Sequence, residues 1–240
     1  MLTGTVINVA AVLAGGALGA LLGDRLPHKM RETVLQGLGL MTMVIGISMA
    51  IQTQNALIPL FSVLIGGILG ELLNIDGALE QLGKRVEARF APGGEDGGGR
   101  FAQGFVTASL VFCVGPMTIL GSIQDGLTGD YTLLAIKSLM DAFASLALAA
   151  SLGPGVILSA ATILVYQGGL TLAAMAFGSA LGGVTAATPW VVEMTATGGV
   201  VIMSIAFILL DIKRIRAANL TPAIFIAPLI VAVLSALGVK

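Results

Sequence analysis

The chain reads as a succession of long apolar runs separated by short polar ones. A helix that crosses a bilayer needs about 20 mostly apolar residues. Runs near that length are Thr3–Gly23, Val34–Ile51, Leu57–Leu73, Phe105–Ile123, Leu133–Leu152, Val156–Phe177, Val191–Leu210 and Ala223–Leu237. The last is short, and Pro222 stands where proline suits a helix start. The predicted fold is all-α, a polytopic transmembrane helical bundle of about eight spans. No charged segment precedes the first run and no small-residue cleavage site follows it, so it reads as a retained span rather than a signal peptide.

One stretch follows a different pattern. In Asp76–Phe90, Leu79, Leu82, Val86 and Phe90 fall on one helical stripe, while Glu80 and Lys84 form an i,i+4 pair on another. This predicts a short cytoplasmic or interfacial helix. The glycine-rich run Pro92–Arg100 follows it as a flexible linker. The chain thus divides into a three-span part over 1–75, an amphipathic helix and linker over 76–100, and a five-span part over 101–240 with a broken span near 115–116.

A faint internal symmetry relates spans one to three to spans six to eight. Gly15-Gly16 parallels Gly168-Gly169, Gln36-Gly37-Leu38-Gly39 parallels Thr197-Gly198-Gly199, and Asn55 with Pro59 parallels Asn219 with Pro222. The offset of five spans is odd, so the two copies would be inverted, as in many transporters.

Composition agrees with the pattern. Hydrophobic residues make up 56% of the 240 residues and charged ones 10%, against about 25% charged in ordinary soluble domains. A soluble fold could not hide that much apolar surface. The net charge of −1 gives no electrostatic case for nucleic acid. The lone cysteine, Cys113, leaves the redox compartment unread.

The basic residues set the expected orientation. Arg25, Lys29 and Arg31 lie between spans one and two. Lys84, Arg85, Arg89 and Arg100 lie between spans three and four, and Lys213, Arg214 and Arg216 between seven and eight. Eight spans place these three loops on one side, and the positive-inside rule makes that side cytoplasmic. The expected location is a bacterial plasma membrane, with both termini outside.

Polar groups at membrane depth are expensive, so each needs a reason. Asp141 sits near the middle of span five, where an isolated carboxylate costs at least about 2.5 kcal/mol. Lys137 lies one turn before it, and Ser138 and Ser145 share roughly its face. Two readings follow. Lys137 and Asp141 form a mutually neutralising ion pair, or Asp141 is the ligand of a metal ion, another cation or a proton, with the serines as oxygen donors. Gly115-Pro116 in span four is either a plain kink or a break that frees carbonyls for a cation. Gln124 and Asp125 end that span, either lining the mouth of a pathway or serving as solvated turn residues beside Thr128 and Asp130. Asn8 and Gln167 are neutral polar groups suited to hydrogen bonds between helices, or to the pathway. Glu71 and Glu193 stand near span ends and read as interfacial.

Glycines recur at four-residue spacing at Gly15, Gly19 and Gly23, at Gly66 and Gly70, and at Gly178 and Gly182. Such faces let backbones approach closely. They serve either packing within one subunit or a homodimer. The only histidine, His28, lies in a basic loop. No metalloprotease, phosphate-loop, nucleophile-elbow or dinucleotide motif is present. The reading is therefore not an enzyme and carries no cofactor.

Several long runs resemble a known family. They are GTVINVAAVLAGGALGALLGDRLP from Gly4, RETVLQGLGL from Arg31, GGILGELLNID from Gly66, FVTASLVFCVGPMTILGSIQDGLTGDYTLLAIKSLMDAFAS from Phe105, and IKRIRAANLTPA from Ile212. Together they resemble the bacterial membrane family called domain of unknown function 554, which implies a multi-span membrane protein. Asp141-Ala142-Phe143-Ala144 also resembles a motif of small manganese exporters, whose second acidic motif is not evident here.

The function expected is transport of a small cation by a carrier or channel. Asp141, Ser138 and the Gly115-Pro116 break would form the site, and Asp125 and Gln124 its outer approach. The alternatives are a transporter of a small organic solute whose carboxylate pairs with Lys137, or a non-transporting membrane scaffold. The orientation is directly testable. A phosphatase active only outside the cytoplasm, fused after Lys240, is expected to be active, whereas the same fusion after Arg216 is expected to be silent. The reverse pattern would invert the topology.

Overall fold

The computed structural model describes residues 2–23, 27–79, 81, 85, 97–113, 115–176, 184, 185 and 187–238. Those residues form helices and turns, with no strand among them. The helices are α1 (Thr3–Gly23), α2 (His28–Ala50), α3 (Leu57–Leu73), α4 (Gly97–Cys113), α5 (Pro116–Thr128), α6 (Thr132–Leu152), α7 (Gly155–Ala176), α8 (Pro189–Leu209) and α9 (Pro222–Ala236), with a 3-10 turn at Ala217–Leu220.

Among the described residues, six helices are long and apolar enough to cross a membrane, and α4 with α5 makes a seventh if the bent pair is one span. The shorter α3 is apolar as well, so the count agrees with about eight predicted runs. Each run has its helix; most ends fall within three residues of the expected ones, while α2 begins six residues before Val34 and the bent pair extends eight residues before Phe105 and five beyond Ile123. The bend falls where Gly115-Pro116 predicts it, at 60°. Gly115 is extended at φ −72° and ψ 149° and precedes Pro116 at the first position of α5. Most of the expected helix over 76–90, all of 91–96, and Gly178 and Gly182 lie outside the described residues.

Exposure is inverted relative to a soluble protein. Leu13, Leu18 and Leu21 on α1, Leu64 and Ile68 on α3, and Leu139 and Phe143 on α6 are exposed. Thr5, Asn8, Asp141 and Gln167 are buried. Polar groups inside and leucines outside is the arrangement an apolar surrounding demands. This is a multi-span helical membrane protein.

The chain forms two compact units, Met1–Leu35 with Leu79–Val184, and Gln36–Ala78 with Thr185–Lys240. In the first, the glycine stripe of α1 lies on α6. A methyl group added at Gly15, Gly19 or Gly23 would overlap the carbonyl oxygens of Ala142, Leu146 or Ala150 respectively. The rising order on both helices makes them parallel, as expected of spans one and five. Helix α7 runs antiparallel to α1, with Gly16 against Ile157 and Thr5 bonded to Gln167. The bent pair runs parallel to α7 along its length. Phe101 abuts Gly155, Ser109 Oγ donates to Thr162 Oγ1 at 3.0 Å, and Gly126 abuts Thr171.

In the second unit, residues 36–50 of α2 run antiparallel to α8, with Gly39 beside Leu209 and Leu210 and Gly46 beside Met203. Helix α3 packs antiparallel on the 3-10 turn and α9, with Gly66 at Ala223 and Gly70 at Asn219. The glycine faces of α1 and α3 are thus occupied within the chain. Of the helix pairs that the inverted symmetry relates, α1 with α7 lies in the first unit and α3 with α9 in the second, and both pack antiparallel.

Close approach at the α1–α6 seam is checkable. Gly19→Leu is expected to destabilise by about 1–3 kcal/mol or more through overpacking. Gly169→Ala faces open space and is expected to stay within about 0.5 kcal/mol. Thermal unfolding in detergent reads both. Equal effects would contradict the seam.

Candidate functional site

The first unit holds a buried polar cluster built from three helices. Asn8 lies on α1, Lys137 and Asp141 on α6, and Gln167 on α7. Asn8 Nδ2 donates to Asp141 Oδ2 at 3.0 Å and to Gln167 Oε1 at 3.0 Å. Gln167 Nε2 donates onward to Thr5 Oγ1 at 3.2 Å. The Lys137 ammonium donates to Asp141 Oδ2 as an i,i+4 ion pair. Each of these five residues is at most 8% exposed.

Local sequence explains the arrangement. Positions 137 and 141 share one face of α6 because four residues make about one helical turn. The glycine stripe of α1 brings its backbone against α6, which puts Asn8 within reach of Asp141. Both Asn8 N–H groups are engaged, and Asn8 Oδ1 is buried with no partner among the described residues. Leaving a buried acceptor unpartnered costs about 1–3 kcal/mol. The cluster therefore has a free oxygen beside a carboxylate.

The other predicted site residues are placed differently. Ser138 Oγ donates to the Leu134 carbonyl at 2.6 Å, and Ser145 Oγ to the Val12 carbonyl at 2.9 Å. Both hydroxyls therefore serve backbone acceptors. Asp125 is buried at the start of α1, where its Oδ2 accepts from Gly4 N–H at 3.1 Å. A carboxylate there meets the unsatisfied N–H groups and the positive end of the helix dipole. Its Oδ1 is buried without a partner. Gln124 is exposed and stands apart from the cluster. At the Gly115-Pro116 break, Thr118 Oγ1 donates to the Phe112 carbonyl at 3.0 Å, so a side chain of α5 takes up that oxygen. In the adjoining turn, Asp130 accepts from Thr132, whose side chain and N–H hold its carboxyl below the usual range.

Two features were missed at the sequence level. Thr5 extends the cluster, and nothing in its local pattern marks it. Cys113 ends α4 as a buried free thiol. In the second unit, Glu193 stands near the start of α8, as expected of a span end, and is buried there. It accepts from Thr53 Oγ1 at 2.6 Å, Gln54 N–H at 2.8 Å and Asn55 N–H at 3.2 Å, fixing the turn between α2 and α3. Glu71 pairs with Arg216 and accepts from Asn219 Nδ2 at 2.6 Å.

Among the described residues no three His, Cys, Asp or Glu side chains come together as a metal cage. A cation at Asp141 would meet one carboxylate and otherwise neutral oxygens. Such a donor set suits a proton or a singly charged ion better than a divalent one.

Comparison with known proteins places the chain. The family model described as "Protein of unknown function (DUF554)" matches residues 3–232. The chain is 28% identical over 241 residues to "Uncharacterized membrane protein YdfK" of Bacillus subtilis (strain 168), covering 99% of each. It is 30% identical over 232 residues to "Uncharacterized protein YqgA" of Escherichia coli (strain K12), covering 95% of each. No solved structure matches. The chain belongs to the DUF554 family.

The ion pair predicts non-additive stability. Asp141→Leu and Lys137→Met are each expected to destabilise by about 3–5 kcal/mol, because each strands a buried charge. The double variant is expected to recover most of the loss. An unfolding cycle in detergent measures the coupling, and simple additivity would show that the two charges do not interact.

Proposed function

For this DUF554 member we propose a transporter or channel for a small cation, with the Asp141 cluster as its site. One observation carries the reading. A carboxylate near the middle of a membrane helix is buried among polar side chains from two other helices, and an uncommitted amide oxygen lies beside it. An ionisable group at that depth is a functional site by default.

The break between α4 and α5 supports the same reading, since irregular backbone at membrane depth accompanies ion paths in transporters. Asp125, enclosed with one free oxygen, offers a second acidic point in the same unit. The basic loops favour an inner-membrane protein with both termini outside. The organic-solute reading is weaker, because a substrate carboxylate would have to take Lys137 from Asp141.

The test is tracer uptake by purified protein in liposomes, with sodium, potassium, manganese and small organic acids as probes. Uptake of a cation that falls at least tenfold in Asp141→Asn is expected. Full uptake in that variant would remove Asp141 from the site. Uptake of organic acids alone would favour the solute carrier.

A further inference from the structure

Helix α5 carries a second buried acid whose surroundings are incomplete. Asp125 is fully buried, and its Oδ2 accepts from Gly4 N–H at the start of α1. Its Oδ1 has no partner among the described residues. Ser122 lies one turn earlier on the same face of α5, because residues three apart on a helix are neighbours, with Cβ atoms about 5–6 Å apart. Ser122 is fully buried as well, and its Oγ has no partner among the described residues. Other buried hydroxyls of this unit are satisfied locally. Ser138, Ser159 and Thr171 each donate to a carbonyl of their own helix. Asp125 Oδ1 and Ser122 Oγ thus stand on one helix face, bonded neither to each other nor to the chain.

Neighbouring helices pack closely around this face. Gly121 admits the side chain of Leu134 from α6, which also lies against Gly4, and Gly126 admits the backbone of α7 at Thr171. Charge then narrows what belongs between the two oxygens. Among the described residues, the buried charged side chains of the first unit are Asp125, Lys137 and Asp141. Lys137 is committed to Asp141, and no described cationic side chain pairs with Asp125. The N-terminus of α1 supplies roughly half a charge, and its contact is with Oδ2. A carboxylate left so in an apolar bundle is strongly disfavoured. A proton on Oδ1 would not resolve this, because the O–H would find no acceptor among the described residues. A water between the two oxygens could bond both, yet it would leave the charge uncompensated. A cation answers both deficits.

We propose that Asp125 Oδ1 and Ser122 Oγ form a binding position for one monovalent cation, separate from the Asp141 cluster. Carboxylate and hydroxyl oxygens suit a hard cation, and one positive charge balances one carboxylate, so the class is an alkali ion such as sodium or potassium. The inference rests on the cation reading of this protein and adds a place where the ion rests while Lys137 holds Asp141. Gly4 at Asp125 and Asn8 at Asp141 are four residues apart on α1, which puts the two positions roughly 6 Å apart along that helix.

The test is equilibrium binding of tracer sodium, and of rubidium as the tracer for potassium, to the purified full-length protein in detergent, with choline holding the ionic strength constant. About one ion per chain is expected. Asp125→Asn keeps the size and an acceptor for Gly4 N–H but removes the charge, and is expected to weaken binding by roughly tenfold or more. Ser122→Ala removes an oxygen that the fold leaves unused, and is expected to weaken it by about threefold while the protein stays folded. Asp141→Asn is expected to leave binding at Asp125 in place while uptake into liposomes falls. Thermal unfolding checks that each variant is folded, and Ser122→Ala carries the test where Asp125→Asn is not. Unchanged affinity in either α5 variant, or no binding of either ion by the unsubstituted protein, overturns the position at Asp125. Binding lost in Asp141→Asn but kept in Asp125→Asn overturns it too and leaves the Asp141 reading standing. Binding that depends on Asp125 without any uptake into liposomes upholds the position and removes the transport reading.

Discussion

An apolar surrounding gives a buried polar group no water to fall back on, so its partner must come from the chain. The amide of Asn8 shows how far that requirement reaches. Its two N–H groups bond side chains on two different helices, and each bond sets how α1 sits along a neighbour. Those bonds exist only because α1 can lie directly on α6. Gly15, Gly19 and Gly23 meet backbone carbonyls of α6 at distances no side chain would allow. Close packing and polar satisfaction are thus two aspects of one contact. Moving α1 away would cost both van der Waals contact and the partners of a buried carboxylate.

Much of this fold was legible because membrane helices announce themselves by length and hydropathy. The predicted runs and the helices agree closely, and the break at Gly115-Pro116 follows from proline chemistry alone. Asp141 with Lys137 was legible for the same reason, since one helix fixes their spacing. Partners across helices were not. Ser138 and Ser145 lie on the face expected, but a helical wheel cannot show that Leu134 and Val12 carbonyls take their hydroxyls. Asp125 and Glu193 looked like end-of-helix residues. Tertiary packing turned one into a cap on α1 and the other into the anchor of the α2–α3 turn.

The buried carboxylates differ in a way that separates structure from chemistry. Glu193 receives three donors, two of them backbone N–H groups of one turn, and its satisfaction explains its place in the fold. Asp125 has one oxygen on Gly4 and one with no partner. Asp141 shares a single oxygen between Lys137 and Asn8, and the neighbouring amide has an acceptor to spare. An acid with both oxygens held by one turn is explained by that turn. Asp141 and Asp125 stand beside buried oxygens that no such turn accounts for.

Stability alone gives little reason for a charged pair on α6. Replacing a buried ion pair by apolar residues of similar size is often neutral or stabilising by about 1–4 kcal/mol. The pair also ties α6 to nothing, since both residues stand on that helix; the tie to α1 and α7 runs through neutral amides. The choice of cation is informative in turn. An arginine would clamp Asp141 with a two-pronged contact and hold its proton permanently. A lysine clamps through a point contact. For a group that only neutralised Asp141, the firmer clamp would serve better. A point contact leaves one oxygen of Asp141 shared with Asn8, and so leaves the carboxylate tied to a second helix.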